Sequence, residues 1–487
     1  MRHTLNFPVD FQLLLSNPLD DDGISRFVDE CAEKASASSS GSIISLTVPA
    51  ANYDPLAILE IFGRKNTFQY YWEKPDLDFA IAAGGRALTL LEDGEDRFEK
   101  LARKVDGWND KIDEHSTIDH SLSGPVFLCG FSFFPENESP YWQAFGSANS
   151  VLPSWMYVKN GSLSLLTMNV HLNGEETTPE VREIFNGLIE RFLNPLEWSE
   201  ASGATMRAEP TEVISREEHP GFKDWTSGVS KAVKKIRQGE FQKIVLARST
   251  SVKTRDKIIP TRLLNKLRQE YPTCYNFIFQ PDEHTAFVGC SPERLSSFNA
   301  TYLLTEGLAG SIVRGKTATE DTRLEHQLLK SRKDRSEHQI VVDAISESLR
   351  SLDLDIEYSK EPGVKKYANV QHLHTPIIAR FNGSVNPLQV LEQLHPTPAV
   401  GGHPKKVSLN NISKLEKIDR GWYAGPIGWF NSRGQGEFSV AIRSGLIRGN
   451  KAMFYSGCGI VEDSDPAREW EETNIKLIPM LSAVEYA

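Results

Sequence analysis

The stretch that decides the fold is Phe454-Tyr455-Ser456-Gly457-Cys458-Gly459-Ile460-Val461. It predicts the end of a strand and a glycine turn, followed by a loop and a helix that reaches about residue 481. Asp465 has the character of an N-cap and Pro466 that of a first helical residue. The helix carries charged residues at spacings of three and four, which places them on one face: Glu469, Glu472 and Lys476. Beside a Gly-x-Gly turn this face suits a hard cation and an anionic ligand, although solvated surface helices carry the same pattern.

The bulk composition describes an ordinary globular protein. The chain has 487 residues, of which 39% are hydrophobic and 24% charged, so it can bury a large core. Its net charge of −11 argues against nucleic acid or an anionic membrane as the main partner. No signal peptide and no apolar run long enough for a membrane span is visible, so we expect a cytoplasmic protein. Five scattered cysteines predict free, mostly buried thiols: Cys31, Cys129, Cys274, Cys290 and Cys458.

Residues 1–205 predict mixed α and β structure with few chemical signals, and residues 206–487 carry most of the motifs. Asn160-Gly161 between two apolar runs, 155–158 and 163–169, predicts a β-hairpin. Prolines and a glycine between 195 and 220 predict a linker. Nearby aromatic residues are expected in the core: Trp142, Phe145 and Trp155.

The second portion alternates predicted strands and helices. We expect one long helix over 321–349, on which Asp334 and Glu337 form a second acidic pair three residues apart. A single strand is expected over 436–447, with Arg443 on the face opposite the apolar one. Other predicted strands are 79–91, 126–134, 242–250, 285–290, 302–304 and 425–430. Other predicted helices are 94–108, 179–192, 225–238 and 411–418.

Six stretches in order over about 260 residues resemble the chorismate-binding enzymes. They are Lys243-Ile244-Val245-Leu246-Ala247-Arg248, Phe287-Val288-Gly289-Cys290-Ser291-Pro292-Glu293-Arg294-Leu295, Thr305-Glu306-Gly307-Leu308-Ala309-Gly310, Lys333-Asp334-Arg335-Ser336-Glu337-His338, Val370-Gln371-His372-Leu373 and the C-terminal stretch. The resemblance implies an α/β (α+β) fold with two large layered β-sheets and outer helices, built by both portions of the chain.

Within that family, residues 395–402 followed by Pro404-Lys405 are most similar to the isochorismate synthases, and the N-terminal hairpin region is similar to the menaquinone-pathway form. Three positions depart from the family pattern. Gly307 stands where alanine or isoleucine is usual, Ser311-Ile312-Val313 replaces Thr-Arg-Pro, and His403 replaces an apolar residue. These departures leave the backbone donors near Gly310 and Ser311, and the subfamily, open.

The resemblance implies that water is added at one ring carbon of chorismate while the hydroxyl two carbons away leaves. Lys243 matches the base, and burial or a cationic neighbour would have to lower its pKa. Glu293 matches the general acid, which an apolar setting would keep protonated. Taken alone, Lys243 could be a surface lysine and Glu293 a partner of Arg294.

The resemblance also implies Mg²⁺, held by Glu337 and Glu472, with Asp334 and Glu469 as accompanying acids. Arg443 would bind the second carboxylate of the substrate as a bidentate fork. His372 matches a pocket histidine, but a hydrogen-bonded core histidine is equally consistent with the sequence. The remaining matches to substrate contacts are Gly310, Ser311, Tyr423, Gly457, Gly459 and Lys476.

Several alternatives share these residues. A salicylate synthase would also release pyruvate, and a siderophore-pathway isochorismate synthase would have the same chemistry. Anthranilate or aminodeoxychorismate synthase is disfavoured, because ammonia needs no lysine base at Lys243 and no glutaminase segment is present. A catalytically silent binding module would not need the acid and the base. We therefore expect a small-molecule enzyme without a glutaminase subunit, as a monomer or weak homodimer.

Overall fold

The computed structural model describes residues 13–37, 41–63, 67–136, 139–193, 210–367, 370–381 and 385–487. The α-helices in these ranges are α1 (Asp22–Ser36), α2 (Pro55–Phe62), α3 (Arg97–Asn109), α4 (Thr178–Leu193), α5 (Phe222–Arg237), α6 (Pro260–Glu270), α7 (Ala318–Lys330), α8 (Arg332–Arg350), α9 (Pro387–Leu394), α10 (Lys405–Leu415) and α11 (Pro466–Val484).

The strands are β1 (Ser42–Pro49), β2 (Gln69–Lys74), β3 (Phe79–Gly84), β4 (Leu88–Glu92), β5 (Ile112–Ser116), β6 (Val126–Phe131), β7 (Ala148–Leu152), β8 (Trp155–Asn160), β9 (Leu163–Leu172), β10 (Val213–His219), β11 (Lys243–Thr254), β12 (Tyr275–Gln280), β13 (Thr285–Ser291), β14 (Arg294–Asn299), β15 (Tyr302–Val313), β16 (Asp355–Tyr358), β17 (Gly363–Lys366), β18 (Val370–Arg380), β19 (Gly402–His403), β20 (Pro426–Asn431), β21 (Gly436–Val440), β22 (Ser444–Arg448) and β23 (Lys451–Ile460).

These strands form two sheets. The 13-stranded sheet has the order β10-β11-β23-β22-β13-β12-β2-β3-β8-β9-β1-β5, with β19 also paired to β11. The 10-stranded sheet has the order β16-β18-β15-β14-β21-β20-β6-β7-β4, with β17 also paired to β18. Both sheets take strands from either side of residue 205, and the described pairs are antiparallel except β1 with β5.

Successive side chains of the larger sheet point to opposite faces, and each face contributes to a separate hydrophobic core. Tyr70 and Trp72 pack between the sheets with residues of the smaller sheet such as Ile427, whereas Tyr71 points to the outer side, where α1, α2, α4, α6 and α11 pack. The predicted fold class of two layered sheets with outer helices is confirmed. The boundary between 205 and 206 lies outside the described residues, so the two-portion division stays a prediction.

Several local predictions are confirmed. Strands β8 and β9 form the Asn160-Gly161 hairpin, with Gly161 at a φ of +59°. The side chain of Asp465 accepts hydrogen bonds from the first backbone N–H groups of α11. Trp142, Phe145 and Trp155 are buried. The five cysteines are free and buried. Among the described helices, none is long and apolar enough to cross a membrane.

Three local predictions are wrong because each runs across a break between two elements. The helix expected over 321–349 is α7 and α8, because Ser331 ends one helix and caps the next by accepting the Asp334 N–H. The strand expected over 436–447 is β21 and β22, which belong to different sheets, and Arg443 lies between them rather than on a strand face. The strand expected over 79–91 divides in the same way into β3 and β4, at Gly85.

The linker predicted over 195–220 can be compared with the structure only from residue 210 onward, and there it is wrong over 213–219. Residues 195–209 lie outside the described ranges, but β10 occupies 213–219 and pairs with β11. The backbone groups of β10 pair with residues that lie 30 to 41 positions later in the chain, and nearby prolines and glycines do not predict this pairing. Two further predicted ranges differ from the structure. The strand expected over 302–304 continues to Val313, and the helix expected over 411–418 is α10, which spans Lys405–Leu415.

Candidate active site

One cavity of about 930 Å³ brings together most of the predicted site residues. It lies where β11, β15 and β23 meet α8 and α11, and its size is within the usual range of small-molecule sites. Twelve of the residues named from the sequence line it: Lys243, Glu293, Gly310, Ser311, Glu337, His372, Tyr423, Arg443, Gly457, Gly459, Glu472 and Lys476. Asp334 and Glu469 lie outside this lining.

Lys243 is the first residue of β11 and is only 3% exposed. Its Nζ lies 2.7 Å from Glu337 Oε1 on α8. Gly459 on the neighbouring β23 leaves room for it, because a Cβ there would lie 2.9 Å from Lys243 Cε. The lysine is therefore a buried cavity residue and not a surface lysine, and Gly459 serves the side chain of Lys243 as well as any ligand.

Glu293 lies between β13 and β14, and 9% of it is exposed. Burial, together with the nearby charge of Glu306, raises the pKa of Glu293 to about 7. Arg294 does not pair with it, because that guanidinium contacts Tyr275 and Glu437 instead. A carboxyl group with this pKa holds a proton over much of the neutral range, as a general acid requires.

Glu306 on β15 is a charged group that the sequence interpretation did not assign. Lys365 Nζ donates to both of its oxygens at 2.8 and 2.9 Å, and His374 Nε2 lies 2.6 Å from Oε2. Burial opposes ionisation, but these hydrogen bonds and the Lys365 charge lower the pKa of Glu306 to about 2. It occurs in the Thr305-Glu306-Gly307 stretch that carried the resemblance, but nothing in the sequence pairs it with Lys365 or His374.

Glu337 on α8 and Glu472 on α11 face the same cavity from two helices. Glu337 pairs with Lys243, and Glu472 pairs with Lys476, each at 2.7 Å. Two carboxylates are the donor type that a hard cation such as Mg²⁺ prefers, so the chemistry of this pair fits. In the described part of the chain no group of three or more histidine, cysteine or acidic side chains is close enough to hold a metal. Water and substrate oxygens would have to complete the coordination.

Arg443 projects into the cavity from a strained backbone. Its φ is +48°, and Ala424, whose N–H bonds the Ala441 carbonyl nearby, has a φ of +63°. Non-glycine residues in this region are uncommon and occur most often at functional sites. Among the described residues, no side chain hydrogen-bonds the Arg443 guanidinium, which leaves its donors directed at the cavity. Lys476, a second cation, donates to the Gly457 carbonyl at 2.9 Å.

Neutral polar groups complete the lining. His372 Nδ1 lies 2.7 Å from Ser311 Oγ, and burial with the charges of Lys476 and Arg443 lowers the pKa of His372 to about 3. The histidine is therefore neutral. Burial raises the pKa of Tyr423 to about 12, and its ring stacks on Tyr455 with 5.1 Å between centroids. Gly310 has a φ of +73°, and a Cβ there would lie 2.9 Å from Asp334 Cβ.

The three departures from the family pattern all have a place in the structure. A Cβ at Gly307 would lie 2.6 Å from Val342 Cγ2, so the glycine lets α8 pack closely on β15. Ser311 forms the hydrogen bond to His372 described above. His403 pairs with Lys243 in the β11–β19 register.

A sequence profile described as chorismate binding enzyme matches residues 27–485 of this chain. The chain belongs to the chorismate-binding enzyme family. It is 34% identical over 450 residues to isochorismate synthase MenF of Bacillus subtilis, an alignment that covers 91% of this chain and 93% of that protein. It is 38% identical over 447 residues to the salicylate biosynthesis isochorismate synthase of Pseudomonas aeruginosa, covering 90% of each.

The solved structures agree on the fold. The chorismate-binding enzyme described here superposes on MenF, the menaquinone-specific isochorismate synthase from Escherichia coli, with a TM-score of 0.75 at 24% identity, covering 95% of this chain and 100% of that one. Anthranilate synthase component I from Streptococcus pneumoniae gives a TM-score of 0.66 at 20% identity, covering 83% of this chain and 92% of that one. The predicted family and its fold are confirmed.

Proposed function

We propose that this enzyme is an isochorismate synthase, an isomerase that converts chorismate to isochorismate. The observation that carries the proposal is the placement of Lys243 and Glu293, both at most 9% exposed, in one cavity with Arg443 and Lys476. A lysine and a carboxylic acid are the base and the acid that the reaction needs. The cationic side chains of Arg443 and Lys476 suit the two carboxylates of chorismate. The identity of 34–38% to isochorismate synthases over most of the chain supports the same activity.

In the proposed mechanism Lys243 Nζ accepts a proton from the attacking water, and Glu293 protonates the hydroxyl that leaves the ring two carbons away. Lys243 acts as a base in its neutral form, and its Nζ lies 2.7 Å from Glu337 Oε1. Arg443 binds one substrate carboxylate through two parallel hydrogen bonds. His372 and Tyr423 are neutral and orient the ring by hydrogen bonding.

Mg²⁺ belongs to this proposal, with Glu337 and Glu472 as the residues that would hold it and Asp334 and Glu469 as accompanying acids. A bound Mg²⁺ would neutralise the ring carboxylate of the substrate. Glu337→Gln and Glu472→Gln should each abolish turnover at low Mg²⁺, because an amide is a weaker ligand. Glu347→Gln, an exposed acid on the same helix as Glu337, is the matched control and should retain turnover. Full activity of either site variant at low Mg²⁺ would refute the assignment.

We further infer that the product serves menaquinone synthesis, and that the enzyme acts in the cytoplasm without a glutaminase subunit, as a monomer or weak homodimer. The menaquinone assignment is supported by the similarity of the N-terminal hairpin region to that form and by the relative from Bacillus subtilis. A salicylate or siderophore pathway is the second candidate, since the relative from Pseudomonas aeruginosa is 38% identical.

The decisive experiment incubates the purified chain with chorismate and Mg²⁺ and identifies the product by chromatography. We expect isochorismate, with no pyruvate in a lactate-dehydrogenase-coupled assay and no aminated product when ammonium is added. Stoichiometric pyruvate would identify a salicylate synthase instead, and an aminated product would identify an anthranilate-type enzyme. Binding of chorismate without any product would indicate a silent binding module.

A further inference from the structure

Strand β11, which begins with Lys243, has a gap along one edge. On that side β19 pairs with Lys243 and Ile244, and β10 pairs from Ser249 to Thr254. The Val245 N–H reaches Gly401 O at 3.0 Å, but the Val245 carbonyl and the Ala247 N–H meet no strand there. Buried backbone groups of this kind need partners, since leaving them unpaired is costly.

A buried ion pair occupies the gap. Glu416 Oε1 accepts the Ala247 N–H at 2.6 Å, and Arg420 Nη2 donates to the Val245 carbonyl at 2.8 Å. The two side chains also bond each other through Arg420 Nε and Glu416 Oε2 at 2.9 Å. They are 1% and 4% exposed, so solvent scarcely screens them. Side-chain groups here replace the hydrogen bonds of a missing strand.

Arg420 also contacts two other cavity walls, one through its guanidinium and one through its backbone. Arg420 Nη1 donates to the Val400 carbonyl at 3.0 Å, and the Arg420 carbonyl accepts the Tyr423 N–H at 2.8 Å. Val245, Val400, Arg420 and Tyr423 all line the cavity. Arg420 itself lies in the turn that presents Tyr423, and its side chain connects that turn to the Lys243 strand and to the turn at 396–402.

We propose that Glu416 and Arg420 are positioning residues, which fix the Lys243 strand against the two turns in the geometry that the isomerisation requires. The inference rests on the proposed function, because it assumes that Lys243 is the base. A network that joins these walls fixes the position of Lys243 relative to them, and a misplacement of about 1 Å can cost about 100-fold in rate. Neither residue needs to touch the substrate for this effect.

Arg420→Lys tests the proposal directly. Lysine keeps the charge but has one nitrogen, so it cannot bond Glu416, Val245 and Val400 together in the planar arrangement of a guanidinium. We expect kcat to fall about 10- to 100-fold, while KM for chorismate changes less than about threefold, because Arg443 and Lys476 still bind the substrate. Arg182→Lys is the control: Arg182 pairs with Asp29 between α4 and α1, away from the cavity, and should retain wild-type kcat.

Glu416→Gln is the second variant, in case Arg420→Lys does not fold. The amide oxygen can still accept the Ala247 N–H, but the charge of Arg420 loses its partner, so kcat should again fall more than KM rises. Hydrogen–deuterium exchange supplies a readout that is independent of turnover. Amides of residues 243–248 should exchange faster in both variants than in the wild type and in the Arg182→Lys control.

The outcomes separate this proposal from the proposed function. Wild-type kcat in folded Arg420→Lys, or a rise in KM with unchanged kcat, would overturn the positioning role. If the wild-type chain does not convert chorismate, the proposed function fails. Exchange at residues 243–248 then still decides whether the pair holds the Lys243 strand: faster exchange in the variants would support this, and unchanged exchange would overturn it.

Discussion

Glu293 and Glu306 are two carboxyl groups with nearly equal burial, 9% and 7% exposed, and opposite behaviour. The pKa of Glu293 is raised to about 7, whereas that of Glu306 is lowered to about 2. Glu306 accepts hydrogen bonds from Lys365 and His374, while no described side chain hydrogen-bonds the carboxyl group of Glu293. The partners of a buried carboxyl group, more than its depth, therefore decide whether it is an acid or a fixed charge.

The two groups are also coupled. Glu306 is anionic near neutral pH, and its charge, together with burial, raises the pKa of Glu293. Lys243, Lys476 and Lys365 oppose it, in that order. Titratable pairs whose environments separate their pKa values are typical of acid–base sites. The arrangement gives Glu293 a pKa close to the pH at which a general acid is most effective.

Glu293→Gln should have the largest effect. An amide can hydrogen-bond the leaving hydroxyl but cannot protonate it, and loss of a general acid costs about two to four orders of magnitude in rate. Chorismate should still bind, because Arg443 and Lys476 are unchanged. Single-turnover assays with product chromatography give the rate, and equilibrium titration gives the binding. Turnover within tenfold of the wild type would show that Glu293 is not the acid.

Lys243→Ala provides the matching test of the base and should show the same separation of binding from turnover. The losses in Lys243→Ala and Glu293→Gln should not add in the double variant if both groups act in one step. Additive losses would instead place the two residues in separate steps.

The second prediction concerns stability, where the two carboxyl groups should differ in sign. Glu293 is protonated in the fold up to about pH 7 but ionises near 4.5 when unfolded, so stability falls as pH rises between these values. Glu293→Gln removes that loss, on the order of 3 kcal/mol by pH 8. Glu306 ionises near pH 2 in the fold, and its contribution is present above 4.5 and lost as pH falls through 2.

Glu306→Gln should therefore destabilise the protein at pH 8, by a similar order of magnitude. Denaturant unfolding at pH 5 and pH 8 measures both effects. Between those values only Glu293→Gln should change the pH dependence of the free energy of unfolding. Equal destabilisation by both variants at pH 8 would mean that the fold stabilises the ionised form of Glu293 as it does that of Glu306, and would contradict the raised pKa of Glu293.

Local chemistry accounts for what could be predicted from the sequence. The Asp465 cap and the Asn160-Gly161 turn each depend on a few neighbouring residues, and both were predicted correctly. Lys243, Glu293 and Glu337 were assigned by resemblance, and the cavity brings them together. Arg443 was also named, but its backbone was predicted wrongly, because a positive φ in arginine breaks a strand that alternation continues.

The partners that set the behaviour of the site could not be predicted in the same way. Lys365 and His374 are 59 and 68 residues from Glu306, and Glu416 is 169 residues from the Ala247 amide that it bonds. Each side chain taken alone predicts a surface charge. Only the pairing of β15 and β17 with β18, and the position of α10 against β11, brings them into contact.

The third prediction shifts the pH dependence of turnover. Glu306→Gln removes the negative neighbour of Glu293, so the pKa of Glu293 should fall while Lys243, Lys476 and Lys365 remain. The alkaline limb of the kcat profile then moves to lower pH, and a shift of one unit would lower the rate at pH 8 about tenfold. Glu437→Gln is the control, because Glu437 is similarly buried but accepts a hydrogen bond from Tyr275 and forms an ion pair with Arg294. An unmoved limb in Glu306→Gln would mean that Glu306 does not influence Glu293.

The smallest effect is expected from Lys365→Met, and it should have the opposite sign. Lys365 is one of the cations that lower the pKa of Glu293, while Glu306 keeps its bond to His374 and stays ionised at neutral pH. Loss of this cation should raise the pKa of Glu293 and move the alkaline limb of kcat to higher pH. Because the Lys365 side chain is 33% exposed, solvent screens it, and the change in stability should stay below about 1 kcal/mol. Profiles of kcat against pH measure the shift of the alkaline limb. Lys231→Met is the control, because Lys231 is an exposed lysine of α5. A limb that moves to lower pH, as in Glu306→Gln, would show that Lys365 acts on Glu293 only by holding Glu306 in place and not through its own charge.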